Sequence, residues 1–378
     1  MKVYRKYSFV YKAPFIKFSL TERNPGEKYA FYIVKNGKNV LMTKYGDKSW
    51  IKYDTGYEAA LWRVTYFIRS SDAADWGMTH QCFLNDKILR YDQESGILDG
   101  EFPDKAIAPL AIRGAYEYNC AYFPAKTAPE KLLIFLPAGV TPRTDRSRPI
   151  FFRWLWAQRG VFPGRVLAIA NPFYQLFSEN NVGFLTGPPE HDVFAELAGI
   201  VRGLADKFGI KSKDIYFYGS SSGGYSAIAL ASYFDDSTAI AANSLVKFSN
   251  FHDPNLLENY RKYILGNRSW DEIYSLMGER LVLLPYLRNP AFRVFFRINL
   301  TDEHHYRHHF LPAWKALGGG APSEPGLYVL GRHMAQVFSE PGGHFNADTE
   351  ASCREVFNIL AEADAAKGKE SAGTSRPA

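Results

Sequence analysis

The sequence predicts an α/β protein in which a doubly wound, mostly parallel sheet follows a small all-β, sandwich-like domain. Three observations carry that prediction. From Lys131 onward, apolar strand-like runs alternate with stretches of helical periodicity. Before about residue 92, short strand-like segments follow one another between turn residues. Within the α/β region, Ile215-Tyr216-Phe217-Tyr218 runs straight into Gly219-Ser220-Ser221-Ser222-Gly223-Gly224 and a small-residue helix. The 378 residues suit two domains or one large α/β domain with an addition, and a hydrophobic content of 46% is ample for their cores.

In the first part, residues 28–35 read as a strand, Asn36-Gly37 as a hairpin turn and 39–43 as the partner strand. Further strands are expected at 49–53, 63–69, 81–84 and 87–91, a rhythm that suits a sandwich. A Pro-, Gly- and Ala-rich connector over about 94–130 completes a first unit assigned to residues 1–125. The α/β unit is assigned to 126–364. Its strand at 132–136 is continuously apolar, as in a sheet covered on both faces. A second strand at 165–170 ends at Asn171-Pro172. Val193, Leu197, Ile200 and Leu204 form one stripe of a helix over 192–208 that Gly209 terminates. A helical, lid-like insertion spans about 251–287, with Asp253-Pro254 as a cap and first-turn proline. Ser269-Trp270-Asp271-Glu272 has the form of a capping box. The last two strands are expected at 293–300 and 334–339 and a closing helix at 351–361. The small, polar tail over 365–378 is expected to be disordered.

The Gly219-to-Gly223 turn is where chemistry enters. A strand, a Gly-x-Ser-x-Gly turn and a helix in that order form a nucleophile elbow, which exposes the serine hydroxyl at the tip of a strained turn. Ser221 is the serine with a glycine both two before and two after it. A serine nucleophile needs a base and the base an orienting carboxylate, in the chain order Ser, acid, His for such elbows. Asp302 follows the strand at 293–300, at the sheet edge where ligands meet open α/β sheets. Glu303 and Glu340 are alternative acids. His344 follows the final strand on Glu340-Pro341-Gly342-Gly343. The oxyanion donors are expected to be the N–H of Ser222 and an N–H from Gly139 or Val140, in the loop after 132–136. Ser220, His304 and His305 are candidates for lining the pocket. The run His304-His305-Tyr306-Arg307-His308-His309 has metal-ligand spacing on a helix. It lacks a Glu at the general-base position and places Arg307 among the ligands, so no metal is expected.

Composition narrows the alternatives. Net charge is +6, but no dense Lys/Arg run suggests a nucleic-acid partner. Arg143, Arg146, Arg148 and Arg153 are diluted by Asp145 and read as a solvated loop, with an anion site as the alternative. Three scattered cysteines give no disulfide or metal framework and fit a reducing cytoplasm. Neither a signal-peptide core nor a membrane-length apolar run is visible. Aromatic content of 16% fits β-packing, with sugar or acyl-chain stacking as the functional alternative. Trp154 and Trp156 read as a helix packed on the sheet. Gly219 to Gly224 lacks the lysine of a phosphate loop.

Taken together, Gly219 to Gly224, Asp302 and Gly343-His344 resemble the α/β-hydrolase superfamily over about residues 130–362. More narrowly, Tyr218-Gly219-Ser220-Ser221-Ser222-Gly223-Gly224-Tyr225 after an aromatic β-domain is similar to bacterial capsule and surface-polysaccharide O-acetyltransferases. It also resembles the acetyltransferase-like proteins of accessory secretion. The resemblance implies a Ser-Asp-His triad that moves an acyl group, most simply acetyl, to or from a sugar hydroxyl through an acyl-enzyme. It further implies a small-molecule ester or an acyl donor such as acetyl-CoA, with a glycan acceptor. Asn171-Pro172 departs from that group, where an Asp is more usual. The alternative reading is a non-enzymatic hydrolase-fold protein that binds or assembles components in glycan or glycoprotein export.

Overall fold

A computed structural model of the chain describes residues 7–373, leaving aside 13–14, 36–37, 55–59, 71–73, 79–81, 85–87, 101–106, 142–143, 145–148, 178–179 and 289. The Asn36-Gly37 turn and the loop arginines Arg143, Arg146 and Arg148 therefore lie outside the described residues, as do 374–378.

The first strands are β1 (Tyr7–Lys12), β2 (Phe15–Leu20), β3 (Lys28–Lys35), β4 (Lys38–Met42), β5 (Trp50–Asp54), β6 (Ala60–Arg69), β7 (Ala74–Met78) and β8 (Cys82–Leu84). They make two antiparallel sheets, β1-β2-β5 and β4-β3-β6-β7, with β8 also paired to β6. Strand alternation turns Ile16, Phe18 and Ile51 of the first sheet and Phe31, Ile33 and Val64 of the second into one buried cluster. That shared core is what makes the pair of sheets sandwich-like.

The remaining strands are β9 (Ile88–Asp92), β10 (Ile97–Asp99), β11 (Ala108–Arg113), β12 (Glu117–Phe123), β13 (Leu132–Phe135), β14 (Arg165–Ile169), β15 (Ile215–Ser220), β16 (Thr238–Ala242), β17 (Arg293–Asn299), β18 (Gly326–Leu330) and β19 (His333–Phe338). They form one sheet in the order β10-β9-β11-β12-β14-β13-β15-β16-β17-β19-β18. From β14 to β19 every neighbouring pair is parallel, while β12 runs antiparallel to β14. The order β11-β12-β14-β13-β15-β16-β17-β19, with its second strand reversed, is the α/β-hydrolase topology. β13, β14 and β16 are buried along their whole length, because helices cover both faces. No helix among the described residues is long and apolar enough to cross a membrane.

Several expectations are corrected here. Residues 88–123, placed with the β-domain and connector, supply four strands of the large sheet. They pair among themselves and join the rest of the sheet through β12, where Tyr122 pairs with Leu167, a link that local pattern does not reveal. β16, with the sequence TAIAA, carries little strand propensity and was not expected. Nor was β18. The closing helix runs over Glu350–Gly373, so 365–373 is helical rather than disordered. Its Ala, Lys and Glu content favours helix even without an apolar stripe.

Caps fix the helices that matter to the site. Asp192 accepts from Phe194 N at 3.0 Å and Ala195 N at 3.1 Å to start the helix Val193–Phe208. The capping box at Ser269 and Glu272 starts Trp270–Met277. Within the 251–287 insertion, Arg280 donates to the carbonyls of Thr186, Pro188, Pro189 and His191 at 2.8–3.4 Å. Tyr260 Oη lies 2.9 Å from Thr186 Oγ1. These bonds fasten the insertion to the 184–191 loop as a fixed roof.

One buried carboxylate ties the β11–β12 hairpin to the helix Val193–Phe208. Glu196, with no exposed surface, accepts from Tyr118 Oη at 2.5 Å and from Ala115 N at 2.5 Å, and lies 2.8 Å from His191 Nε2. Glu196→Ala leaves a buried hydroxyl and a backbone N–H without an acceptor, at about 1–3 kcal/mol each. Urea denaturation is expected to show a loss of roughly 2–5 kcal/mol for this variant and a smaller one for Glu196→Gln.

Candidate active site

Ser221 sits between β15 and the helix Ser222–Ala231 with φ 53° and ψ −123°, a conformation costly for a residue with a Cβ. The flanking glycines are required by contact. A Cβ on Gly219 would lie 2.2 Å from the Gly223 carbonyl carbon and oxygen. A Cβ on Gly223 would lie 2.6 Å from Pro137 O. Both neighbours are backbone and cannot yield, so the strand end, helix start and 136–141 loop pack together only with glycine at these positions.

That packing brings the helix N-terminus against the expected oxyanion loop. Ser222 N–H is the first of the helix and has no intrahelical acceptor. Val140, one of the two candidates in the loop, is corrected: its N–H donates to Asn181 O at 2.9 Å. Gly139 N–H meets no backbone acceptor among the described residues.

Asp302 and His344 meet beyond the carboxyl ends of β17 and β19. His344 Nδ1 lies 2.7 Å from Asp302 Oδ2. Asp302 also accepts from Asn243 Nδ2 at 2.9 Å and is 2.9 Å from His305 Nδ1. Burial alone would raise the Asp302 pKa, but the hydrogen bonds from His305 and His344 outweigh it and hold the carboxyl well below its usual range. An ionised carboxylate on Nδ1 fixes the proton there and leaves the imidazole lone pair on Nε2. Of the alternative acids, Glu303 is exposed and pairs with Arg307 at 2.6 Å, and Glu340 is exposed.

Two pocket expectations are corrected. His304 does not line the cavity, because its Nε2 lies 2.8 Å from Asn250 O. His305 lies behind the cavity on Asp302, its ring 4.3 Å from that of His344, with Nε2 buried and unpartnered among the described residues. Asp302, His305 and His344 bring three donor atoms within 4.8 Å of one another, and hydrogen bonds already join them. The i,i+4 histidines also turn to backbone: His309 Nδ1 accepts from Val246 N, and His309 Nε2 lies 3.0 Å from Asn250 O.

Sequence reading missed three supporting residues, Asn243, Asn299 and Asp348, and misread a fourth: Arg153, expected in a solvated loop, is buried. Asn243, at φ 36°, holds Asp302 and also donates to His344 O at 3.3 Å. Asn299 donates to Glu340 O and Gly343 O, each at 2.9 Å, and so shapes the loop carrying His344. Arg153 donates to Leu136 O at 3.0 Å, Ser220 Oγ at 2.6 Å and Asp348 Oδ1 at 3.0 Å, with a second contact to Asp348 Oδ2. Asp348 in turn accepts from Tyr218 Oη at 3.0 Å. Burial opposes charge on both groups, yet their pairing keeps the Arg153 pKa raised and the Asp348 pKa lowered. Asn171, the departure from the resembling group, caps its own turn by accepting from Phe173 N at 2.9 Å. An Asn after a strand carries a turn signal, but these long-range partners have none in the sequence.

Ser221, His344, Ser220, Ser222 and Gly139 line one cavity of about 450 Å³. Val182, Phe251 and Leu256 give it apolar wall, and Asn181 and His252 give it polar wall.

Arg153→Met leaves the Asp348 carboxylate buried without its cation and is expected to cost about 3–5 kcal/mol in chemical denaturation. Pairing it with Asp348→Leu is expected to recover part of that loss. Burial also pushes the His309 pKa down to about 3, from an ordinary 6.5. Between those values the unfolded chain binds a proton that the folded chain refuses. Stability is therefore full above about pH 6.5 and falls as pH drops towards about 3. The urea midpoint is expected to be lower at about pH 5 than at about pH 7.5, with a smaller difference in His309→Gln.

No family model matches the sequence, and no curated protein matches it. Solved structures do resemble the fold. An acetyl xylan esterase from Paenibacillus sp. R4 is 14% identical with a TM-score of 0.46, over 70% of this chain and 86% of that one. The capsule O-acetyltransferase of Neisseria meningitidis serogroup A is 15% identical with a TM-score of 0.45, over 70% and 98%. The enterobactin esterase of Shigella flexneri is 10% identical with a TM-score of 0.38, over 94% and 97%. At these values the fold rests on the strand order and the elbow themselves.

Proposed function

We propose that the protein is a serine-dependent acyl-ester enzyme working through Ser221, His344 and Asp302. The observation that carries this reading is a strained Ser221 opening into the same cavity as a histidine whose Nδ1 is held by a buried carboxylate. Ser221 Oγ attacks the ester carbonyl and gives its proton to His344 Nε2. The tetrahedral oxyanion is met by the N–H groups of Ser222 and Gly139. The C–O bond to the leaving alcohol then breaks, and His344 returns the proton to that alcohol. A second nucleophile attacks the acyl-enzyme, gives its proton to His344 and releases the acyl group as Ser221 Oγ is reprotonated.

Water as the second nucleophile makes the enzyme an esterase, and a sugar hydroxyl makes it an O-acyltransferase. The triad steps are the same for both. A cavity of about 450 Å³ with Val182, Phe251 and Leu256 in its wall suits a short acyl group. An O-acetylated carbohydrate as substrate or product, the class implied by the sequence resemblance, is the first to test. The fixed roof of the 251–287 insertion supports a site that excludes bulk water without a large closure. No observation favours the non-enzymatic alternative.

Ser221→Ala is expected to reduce acetate release from p-nitrophenyl acetate by at least ~10³-fold and to abolish fluorophosphonate labelling. Asp302→Asn is expected to reduce turnover by roughly 10²–10⁴-fold, because the imidazole loses its fixed tautomer. Equal turnover by wild type and Ser221→Ala would sink the proposal. Acetyl groups appearing on an added oligosaccharide would mark a transferase, and free acetate alone an esterase.

A further inference from the structure

We propose that His252 makes the cavity selective for esters of polyols, by hydrogen-bonding a hydroxyl on the carbon beside the esterified one while His344 serves the ester oxygen itself. This selectivity rests on Ser221, His344 and Asp302 being the reacting residues, and it adds to them a group that reads the alcohol half of the substrate.

His252 lines the same cavity as Ser221 and His344 and is exposed. Among the described residues no hydrogen bond engages either of its ring nitrogens. Its ring centroid lies 6.5 Å from that of His344. Each imidazole reaches about 3 Å to an oxygen of its own, and oxygens on adjacent ring carbons stand about 3 Å apart, so one alcohol can meet both. His344 returns a proton to the leaving alcohol, which places the alcohol oxygen at His344. A polar ring beside His344 therefore meets the alcohol, while Val182 and Leu256 offer apolar wall to the acyl group.

Partial burial and the neighbouring His344 and His304 push the His252 pKa below its ordinary value, against the pull of Asp253 and Asp302. The ring is neutral near pH 7, with one nitrogen donating and the other accepting. A hydroxyl both donates and accepts, so it matches a neutral imidazole better than an ammonium or a carboxylate does.

The run His304 to His309 gives this ring a fixed seat. Asn250 O accepts from His304 Nε2 at 2.8 Å and from His309 Nε2 at 3.0 Å, since a carbonyl only accepts. His309 Nδ1 takes the Val246 N–H, the tautomer that leaves its Nε2–H for Asn250. Two imidazoles thus hold the backbone two residues before His252. The rings of Phe251 and His305 lie 4.6 and 5.8 Å from the His252 ring. A polar group seated in this way loses less freedom on binding than a mobile side chain would.

The test compares trans-2-hydroxycyclohexyl acetate with cyclohexyl acetate, which differ in the neighbouring hydroxyl alone, on the full-length protein. The readout is the ratio of their kcat/KM values, in which a general loss of activity cancels. It reports acylation of Ser221, the step that an esterase and a transferase share. Wild type is expected to favour the hydroxy ester about tenfold, the worth of one good hydrogen bond. His252→Phe keeps a ring without its nitrogens and is expected to bring the ratio to about one, with His252→Gln restoring part of it. Thermal midpoints of both variants check folding, and the wild-type ratio stands without them. Ser221-dependent acetate release from p-nitrophenyl acetate is measured alongside. If that dependence is missing, the catalytic reading and the His252 proposal fall together. If it is present and wild type treats the two esters alike, or His252→Phe keeps the full preference, the catalytic reading stands and the His252 proposal is overturned.

Discussion

The ion pair between Arg153 and Asp348 is the contact on which the geometry of the site depends. Parallel strands deliver their carboxyl ends to one edge, but the loops that leave them are otherwise free to diverge. One guanidinium gathers three of these loops. It holds Leu136 O at the root of the 136–141 loop, Ser220 beside Ser221 and Asp348 four residues after His344. Taking both charges out of water is costly, and the pair survives because each partner has further bonds. Arg153 reaches two more oxygens, and Asp348 also takes the Tyr218 hydroxyl. The guanidinium makes four contacts from three nitrogens spread across a planar fork, more than the three donors on the single nitrogen of a lysine can supply, so lysine is no substitute.

Asp302 plays the corresponding role on the other side. Its two oxygens serve His305, His344 and Asn243, which come from the helix it caps, the loop after β19 and the end of β16. Asn299 then ties the His344 loop to β17. The imidazole is thus oriented by a carboxylate that is itself held from three sides. Arg153 and Asp302 fix different loops, and the 450 Å³ cavity lies between what each one holds. Preorganisation of this kind removes the reorganisation that a water-filled site would require during the reaction.

What the sequence made legible follows from the range of each signal. Ser221, Asp302 and His344 stand next to strand ends and announce themselves through local order: apolar run, turn, reactive side chain. The residues that hold them do not. Arg153 lies 195 residues from Asp348, and Asn243 lies 59 from Asp302. Choosing between Gly139 and Val140 required knowing that Asn181 O takes the Val140 N–H. His252 reaches the cavity wall from the insertion with no pattern to mark it. The same rule governs the fold. β13, β15 and β17 are strong apolar runs, whereas TAIAA becomes a strand only because β15 and β17 flank it. β10, β11 and β12 read as connector because they join the large sheet through β14, far along the chain.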